Sequence, residues 1–111
     1  MKIVFIAGPF RAGTIWEIEQ NVRRAEACAL EIWRFGCVAV CPHTNSRFFQ
    51  DAAPDGVFLR GYKELLVRCD GVFLMPDWKN SFGTQEEVEL AQLQGIPVFS
   101  TLAGLKEWKE G

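Results

Sequence analysis

The stretch Lys2-Ile3-Val4-Phe5-Ile6-Ala7-Gly8-Pro9-Phe10-Arg11-Ala12-Gly13 decides the fold class. It begins with a continuous apolar run of strand length and no polar alternation, the pattern of a strand buried on both faces of a parallel sheet. A glycine-bounded loop, Gly8 to Gly13, follows directly. Beyond it Ile15, Ile18, Val22, Ala25, Ala29 and Ile32 recur at spacings of three and four, one apolar stripe on a long helix that stops near Phe35-Gly36.

The rest of the chain repeats this alternation. Cys37-Val38-Ala39-Val40-Cys41 reads as a second strand, ended by Pro42. Residues 42 to 54 are polar and broken by Asn, Ser, Asp and Pro, which predicts a long loop containing a short helical turn. Val57 to Arg68 reads as a helix, Gly71 to Met75 as a third strand, Thr84 to Gln94 as a helix stopped by Gly95, Pro97 to Ser100 as a fourth strand and Leu102 to Lys109 as a closing helix. Strands alternating with helices imply an α/β domain, with a parallel sheet, right-handed crossovers and helices on both faces. In such sheets ligands bind beyond the carboxyl ends of the strands, where strand order reverses. Those ends carry Gly8 to Gly13, Pro42 to Asn45, Pro76 to Gly83 and Thr101 to Gly104, the first three holding most of the candidate polar residues.

A chain of 111 residues fits one domain with one core. Hydrophobic residues at 49% and charged residues at 23% match a globular protein. The net charge of −2 and the absence of any Lys/Arg run longer than Arg23-Arg24 argue against a nucleic-acid polymer as partner. The apolar run at the N-terminus is too short for a signal peptide, and no run approaches the roughly 20 residues that span a bilayer, so the expectation is no membrane partner and a cytoplasmic location. The four cysteines, Cys28, Cys37, Cys41 and Cys69, have no C-x-x-C spacing, and His43 is the single histidine, which argues against a zinc site.

Three constellations carry chemistry. Gly8, Pro9, Phe10 and Arg11 lie between a strand and a helix, where backbone amides and a guanidinium can meet an anion, although the loop matches neither G-x-G-x-x-G nor the Walker pattern. Cys41-Pro42-His43 places a thiol and an imidazole two residues apart with no third group to orient the ring, so His43 reads more naturally as a hydrogen-bond donor to a ligand than as half of a nucleophilic pair. Ser81-Phe82-Gly83-Thr84-Gln85-Glu86-Glu87 leads into a helix and has two readings. Thr84 to Glu87 fits a capping box, with Thr84 as N-cap. Alternatively, Glu87 is a carboxylate placed near a phosphate-binding turn to attack the anomeric carbon of a ribose, in the company of Asp70, Asp77, Ser81, Gly83 and the Arg11 loop. Trp78, Phe10 and Trp16 are candidates both for stacking on a base and for packing.

These motifs resemble a known family. Ile6-Ala7-Gly8-Pro9-Phe10-Arg11, Cys41-Pro42-His43-Thr44-Asn45, Arg68-Cys69-Asp70-Gly71-Val72 and the stretch from Trp78 through Ser81-Phe82-Gly83 to Glu87-Val88-Glu89-Leu90-Ala91 are similar to DUF4406, a small domain family of unknown function with many members in phages and bacteria. That family is similar to the nucleoside 2-deoxyribosyltransferase superfamily, which includes the 2′-deoxynucleoside 5′-phosphate N-hydrolases. The resemblance implies a flavodoxin-like (Rossmann-like) three-layer sandwich with a parallel sheet of four to five strands, a homo-oligomer (dimer or tetramer), and no metal or organic cofactor. It implies a nucleoside or nucleoside 5′-monophosphate as ligand, Glu87 as nucleophile and Asp70 as catalytic aspartate. Gly8, Pro9, Phe10, Arg11, His43, Asn45, Asp77, Trp78, Ser81 and Gly83 become substrate-binding candidates, with Ser81 at the 5′-phosphate.

The chain departs from the superfamily where a glycine usually stands two residues after the nucleophile and Glu89 stands here. It also lacks the C-terminal portion that supplies base contacts in the transferases, which favours hydrolysis over base transfer. Gly83-Thr84-Gln85-Glu86-Glu87 is also similar to the G-T-x-x-E turn of the lysine-decarboxylase-like phosphoribohydrolases, though the paired glycines expected before that turn are absent. A nucleotide-binding module without catalysis is the competing expectation.

Overall fold

In the computed structural model, which describes residues 1–111, strand β1 (Ile3–Ala7) feeds two separate cores. Val4 and Ile6 pack with Ala25, Ala29 and Ile32 of helix α1 (Ile15–Arg34) and with Leu105 of helix α5 (Leu102–Glu110). Phe5 and Ala7 point the other way, onto Leu66 of helix α3 (Asp55–Leu66) and Val88 and Ala91 of helix α4 (Phe82–Leu93). Strand β3 (Gly71–Leu74) divides its side chains in the same manner, Phe73 to the first core, Val72 and Leu74 to the second. Burial on both faces explains why these segments read as continuous apolar runs.

The sheet has four strands in the order β2-β1-β3-β4, with β2 at Val38–Val40 and β4 at Val98–Phe99. Every neighbouring pair is parallel. This is the flavodoxin-like three-layer arrangement, at the lower end of the expected four to five strands. The order reverses between β1 and β3, where Ala7 lies opposite Leu74 and the N–H of Met75 donates to the Ala7 carbonyl at 2.9 Å. Beyond that pair the two chains leave for opposite faces of the sheet, α1 on one and α4 on the other, and a crevice opens between them.

The expected long loop holds a four-residue helix, α2 (Pro42–Asn45), followed by turns in which Phe48 and Asp51 adopt positive φ. Helix α4 begins two residues earlier than its sequence suggests. Ser81, not Thr84, is its N-cap: the Ser81 hydroxyl accepts the Thr84 N–H at 3.3 Å and the Ser81 carbonyl accepts the Gln85 N–H at 3.0 Å. Thr84 is buried in the first turn, and Glu87 lies six residues beyond the cap. The capping-box reading of Thr84 and Glu87 is therefore incorrect. The single turn of 3₁₀ helix at Trp78–Asn80 delivers the chain to Ser81 in an extended conformation, which lets the serine cap. The glycine missing at Glu89 costs no packing, because Glu89 faces solvent.

Gly8 sits where β1 and β3 come closest. A Cβ there would lie 2.6 Å from Met75 Sδ and 2.9 Å from Met75 Cβ. The flexible thioether can swing aside, but the Cβ cannot without backbone movement. Gly8→Ala should lower unfolding free energy by about 1–3 kcal/mol through overpacking, read as a lower urea midpoint with an unchanged slope; an unchanged midpoint would show that the strand ends yield freely.

Candidate functional site

The crevice at the strand reversal is a cleft of about 700 Å³. Its first wall is the loop after β1, contributing Gly8, Pro9, Phe10 and Arg11 as expected. Two buried side chains hold this loop. His43 Nε2 lies 2.9 Å from the Pro9 carbonyl, and Asn21 Nδ2 donates to the Phe10 carbonyl at 3.0 Å. Burial pushes the His43 imidazole below its usual pKa, outweighing the Pro9 and Gly8 carbonyls that favour the charged ring. His43 is thus neutral, with its Nε2–H given to Pro9 and its Nδ1 buried without a partner. His43 also lines the cleft, but here its Nε2 proton is given to the loop.

Arg11 reaches across the mouth to Asp55, the first residue of α3, and both side chains are exposed. The second wall comes from α3, whose Phe58, Leu59 and Tyr62 face the cleft. Asn45 is exposed and meets the site only through Tyr62, donating to the phenol oxygen at 3.1 Å; Tyr62 in turn donates to Ser46 Oγ at 2.7 Å. Helix α1 adds Glu17, Asn21 and Arg24, which the sequence reading missed. The signal available for Asn21 was a polar residue on the inward side of the helix, beside Ile18, Val22 and Ala25.

Helix α4 supplies Ser81, Gly83, Thr84 and Glu87. The Ser81 oxygen accepts from both the Thr84 N–H and the Thr84 hydroxyl, the latter at 2.8 Å, which leaves its own proton free for a ligand. Gly83 belongs to the first turn of the helix and not to a preceding loop; a Cβ there would sit 3.4 Å from Leu59 Cδ2. Glu87 is half-buried on the cleft wall. Its carboxyl pKa is pushed up to about 8, first by burial and then by the charge of Glu86, with Lys63 pulling the other way. Lys63 itself is paired with Glu86.

The remaining candidates separate. Asp77, in the left-handed region at φ 64°, lines the cleft and is exposed. Trp78 does not reach the cleft. It packs beside the β3 core and borders a smaller depression of about 420 Å³ with Leu74, Met75 and Ser100. Asp70 lies at the amino end of β3, across the length of the strand from the cleft, and its Oδ2 accepts the Ile3 N–H at 2.7 Å. The structure gives Asp70 a role in joining β3 to β1, not a place in the site. Cys41 is buried in the α1-side core, away from any partnership with His43. Trp16 is exposed on α1 and does not line the cleft.

The profile of the family described as "Domain of unknown function (DUF7768)" matches residues 2–101. The chain belongs to the DUF7768 family. The family matched thus differs in name from DUF4406, to which the motifs are similar. No curated protein matches this DUF7768 chain. Among solved structures it is similar to a 2-deoxyribosyltransferase from the psychrotolerant bacterium Bacillus psychrosaccharolyticus, with a TM-score of 0.67 and 16% identity over 86% of this chain and 69% of that one. At that identity the likeness is one of fold. No helix is long and apolar enough to cross a membrane.

The raised Glu87 pKa has a signature in stability. Unfolded, this carboxyl group titrates near 4.5; folded, near 8. Between those values the folded state keeps a proton the unfolded chain has released, so this group's contribution falls as pH rises from about 4.5 to about 8 and is level above, by at most about 1.4 kcal/mol per pH unit. Glu87→Gln removes that loss. Its melting temperature should exceed that of the unaltered protein by more at pH 9 than at pH 5; a gain independent of pH would contradict a Glu87 that folding keeps neutral.

Proposed function

We propose that the protein cleaves the N-glycosidic bond of a nucleoside or nucleoside 5′-monophosphate, with Glu87 as nucleophile and water as the favoured acceptor. The observation that carries this reading is the position of Glu87. It lies on the wall of the cleft at the strand reversal, freed from helix capping, one and a half turns beyond a serine whose proton is available. The fold shared with a 2-deoxyribosyltransferase supports it.

In this mechanism the ionised Glu87 carboxylate attacks the anomeric carbon as the carbon–nitrogen bond breaks. The bonding electrons leave with the base, which takes up a proton, and water then hydrolyses the glycosyl ester. Asp77, not Asp70, is the second carboxyl group at the cleft, and it would meet a sugar hydroxyl or the departing base. Ser81, the free N–H groups of the first turn of α4 at Phe82 and Gly83, and Arg11 would hold the phosphate end.

A second reading, a nucleotide-binding module without catalysis, draws support from the same carboxyl group: at neutral pH a group with a pKa of about 8 is mostly protonated, and a carboxylic acid is a poor nucleophile. Assembly into a dimer or tetramer belongs to the proposal. Ile15 and Trp16 at the start of α1, Phe48 and Phe49 beyond α2, and Phe82 at the start of α4 expose large apolar side chains on elements that frame the cleft. Light scattering should give a mass of two or four chains of 12.6 kDa; a monomer at micromolar concentration would remove this part.

Free-base release from a panel of nucleosides and their 5′-monophosphates tests the activity. Glu87→Ala should abolish release, a loss of at least 10³-fold by comparison with other covalent catalysts. Because the nucleophile must be ionised, kcat/KM should rise with pH to a plateau above about 8. A profile that falls through the same range would make Glu87 a proton donor, and binding without base release would favour the non-catalytic module.

A further inference from the structure

The charges that bear on Glu87 come from outside the cleft it lines. The cleft itself is bordered by Arg11 and Asp55, paired at its mouth, by Glu17 and Arg24 of α1, by Asp77 and by the rings of His43 and Tyr62. After burial, the influences on the Glu87 carboxyl group are Lys63 of α3, which favours the ionised form, and Glu86 of α4, which opposes it. Neither side chain lines the cleft, and the two are paired with each other, Lys63 Nζ donating to Glu86 Oε2.

This pairing follows from how α3 and α4 lie side by side. Leu59 Cδ2 stands 3.4 Å from where a Gly83 Cβ would be, one turn further along both helices Lys63 meets Glu86, and beyond them Leu66 shares a core with Val88 and Ala91. Glu86 and Glu87 are consecutive residues, their Cα atoms about 3.8 Å apart, and a helical step of about 100° turns the first toward α3 and the second toward the cleft. Lys63 thus stands at a fork between two carboxyl groups on one turn of α4. Its flexible stem and compact ammonium suit a charge that changes partner.

We propose that Lys63 and Glu86 are positioning residues that govern the ionisation of Glu87: while Glu86 holds the ammonium, Glu87 keeps its proton, and when the ammonium turns to Glu87 the carboxyl group releases that proton to solvent. This rests on the glycosidase reading only in making the ionised carboxylate the reactive form. Glu86 acts twice, through its own charge and by withholding the cation that favours ionisation, whereas a carboxylate that was merely adjacent would act once. The two helices supply a neutral Glu87 that folding tolerates and, within one side-chain movement, a charged one that can attack. With side chains 37% and 31% exposed, Lys63 and Glu86 belong to no core, so both can be replaced without opening a cavity.

The test is a ¹³C titration of the Glu87 side-chain carboxyl carbon in the full chain, from about pH 4 to about pH 10. The unaltered protein should show a midpoint of about 8. Glu86→Gln should lower it by about one unit or more, and Lys63→Met should raise it. In the Lys63→Met background Glu86→Gln should move the midpoint less than half as far, because only the neighbouring charge is then lost. Where base release is measurable, the pH at which kcat/KM levels off should fall in Glu86→Gln by the shift seen in the carboxyl titration, a change that a merely structural ion pair would not produce. A Glu86→Gln shift that is absent, or equal with and without Lys63, overturns the inference and leaves the glycosidase reading intact, as does a Lys63→Met midpoint that fails to rise. The expected carboxyl shifts without base release from any nucleoside or monophosphate uphold the inference and overturn that reading. Lys63→Gln replaces Lys63→Met should the latter not fold.

Discussion

The pairing of β1 with β3 is the constraint on which the cleft depends. It runs from Val4 opposite Gly71 to Ala7 opposite Leu74, and the Met75 N–H to the Ala7 carbonyl closes it. Parallel strands must be joined by crossovers, and because β2 lies on one side of β1 while β3 and β4 lie on the other, the crossovers cover opposite faces. The chain therefore divides after Ala7 and after Met75, and the only place that both first turns of α1 and α4 can border is the gap between them. Gly8 makes the close approach there possible, since the volume of a Cβ is already occupied by Met75.

Within that gap the groups most exposed to desolvation are kept uncharged. Glu87 holds its proton because burial outweighs Lys63, and His43 loses its own because burial outweighs the loop carbonyls. The charges that remain are drawn into pairs: Arg11 with Asp55 at the mouth, Lys63 with Glu86 behind the wall. A ligand entering the cleft would have to replace the first of these pairs and ionise a carboxyl group that folding keeps neutral. Under the proposed chemistry, stability and reactivity would pull against each other at Glu87.

The elements were largely legible because burial on one or two faces writes a period into the sequence. β1 and β3 as continuous apolar runs followed from that alone, and so did the α1 stripe read from Ile15 to Ile32, which is buried from Val22 on while Ile15 is exposed. The start of α4 did not, since both Ser81-x-x-Thr84 and Thr84-x-x-Glu87 satisfy a local capping pattern. The choice fell to the 3₁₀ turn at Trp78–Asn80, which sets the approach of the chain, and to the burial of Thr84. Asp70 shows a different failure. A residue that precedes a parallel strand lies at the amino edge of the sheet, and ligands bind at the other edge; the order of residues along the chain already opposed its placement in the site.

From sequence alone came the class of the fold, the segments at the carboxyl ends of the strands, and Glu87, Arg11 and Ser81 as candidates near them, because strand, helix and turn propensities act over a few neighbours. Tertiary structure alone decided which of those residues meet. It moved Trp78 into packing and Asp70 to the far edge, bonded His43 and Asn21 to the carbonyls of the β1 loop at the cleft, and brought Arg24 and Tyr62 there. Only strand order fixes the distance between loops far apart in the chain, and only the exclusion of water, which no single segment achieves, shifts the titration of a carboxyl group such as Glu87.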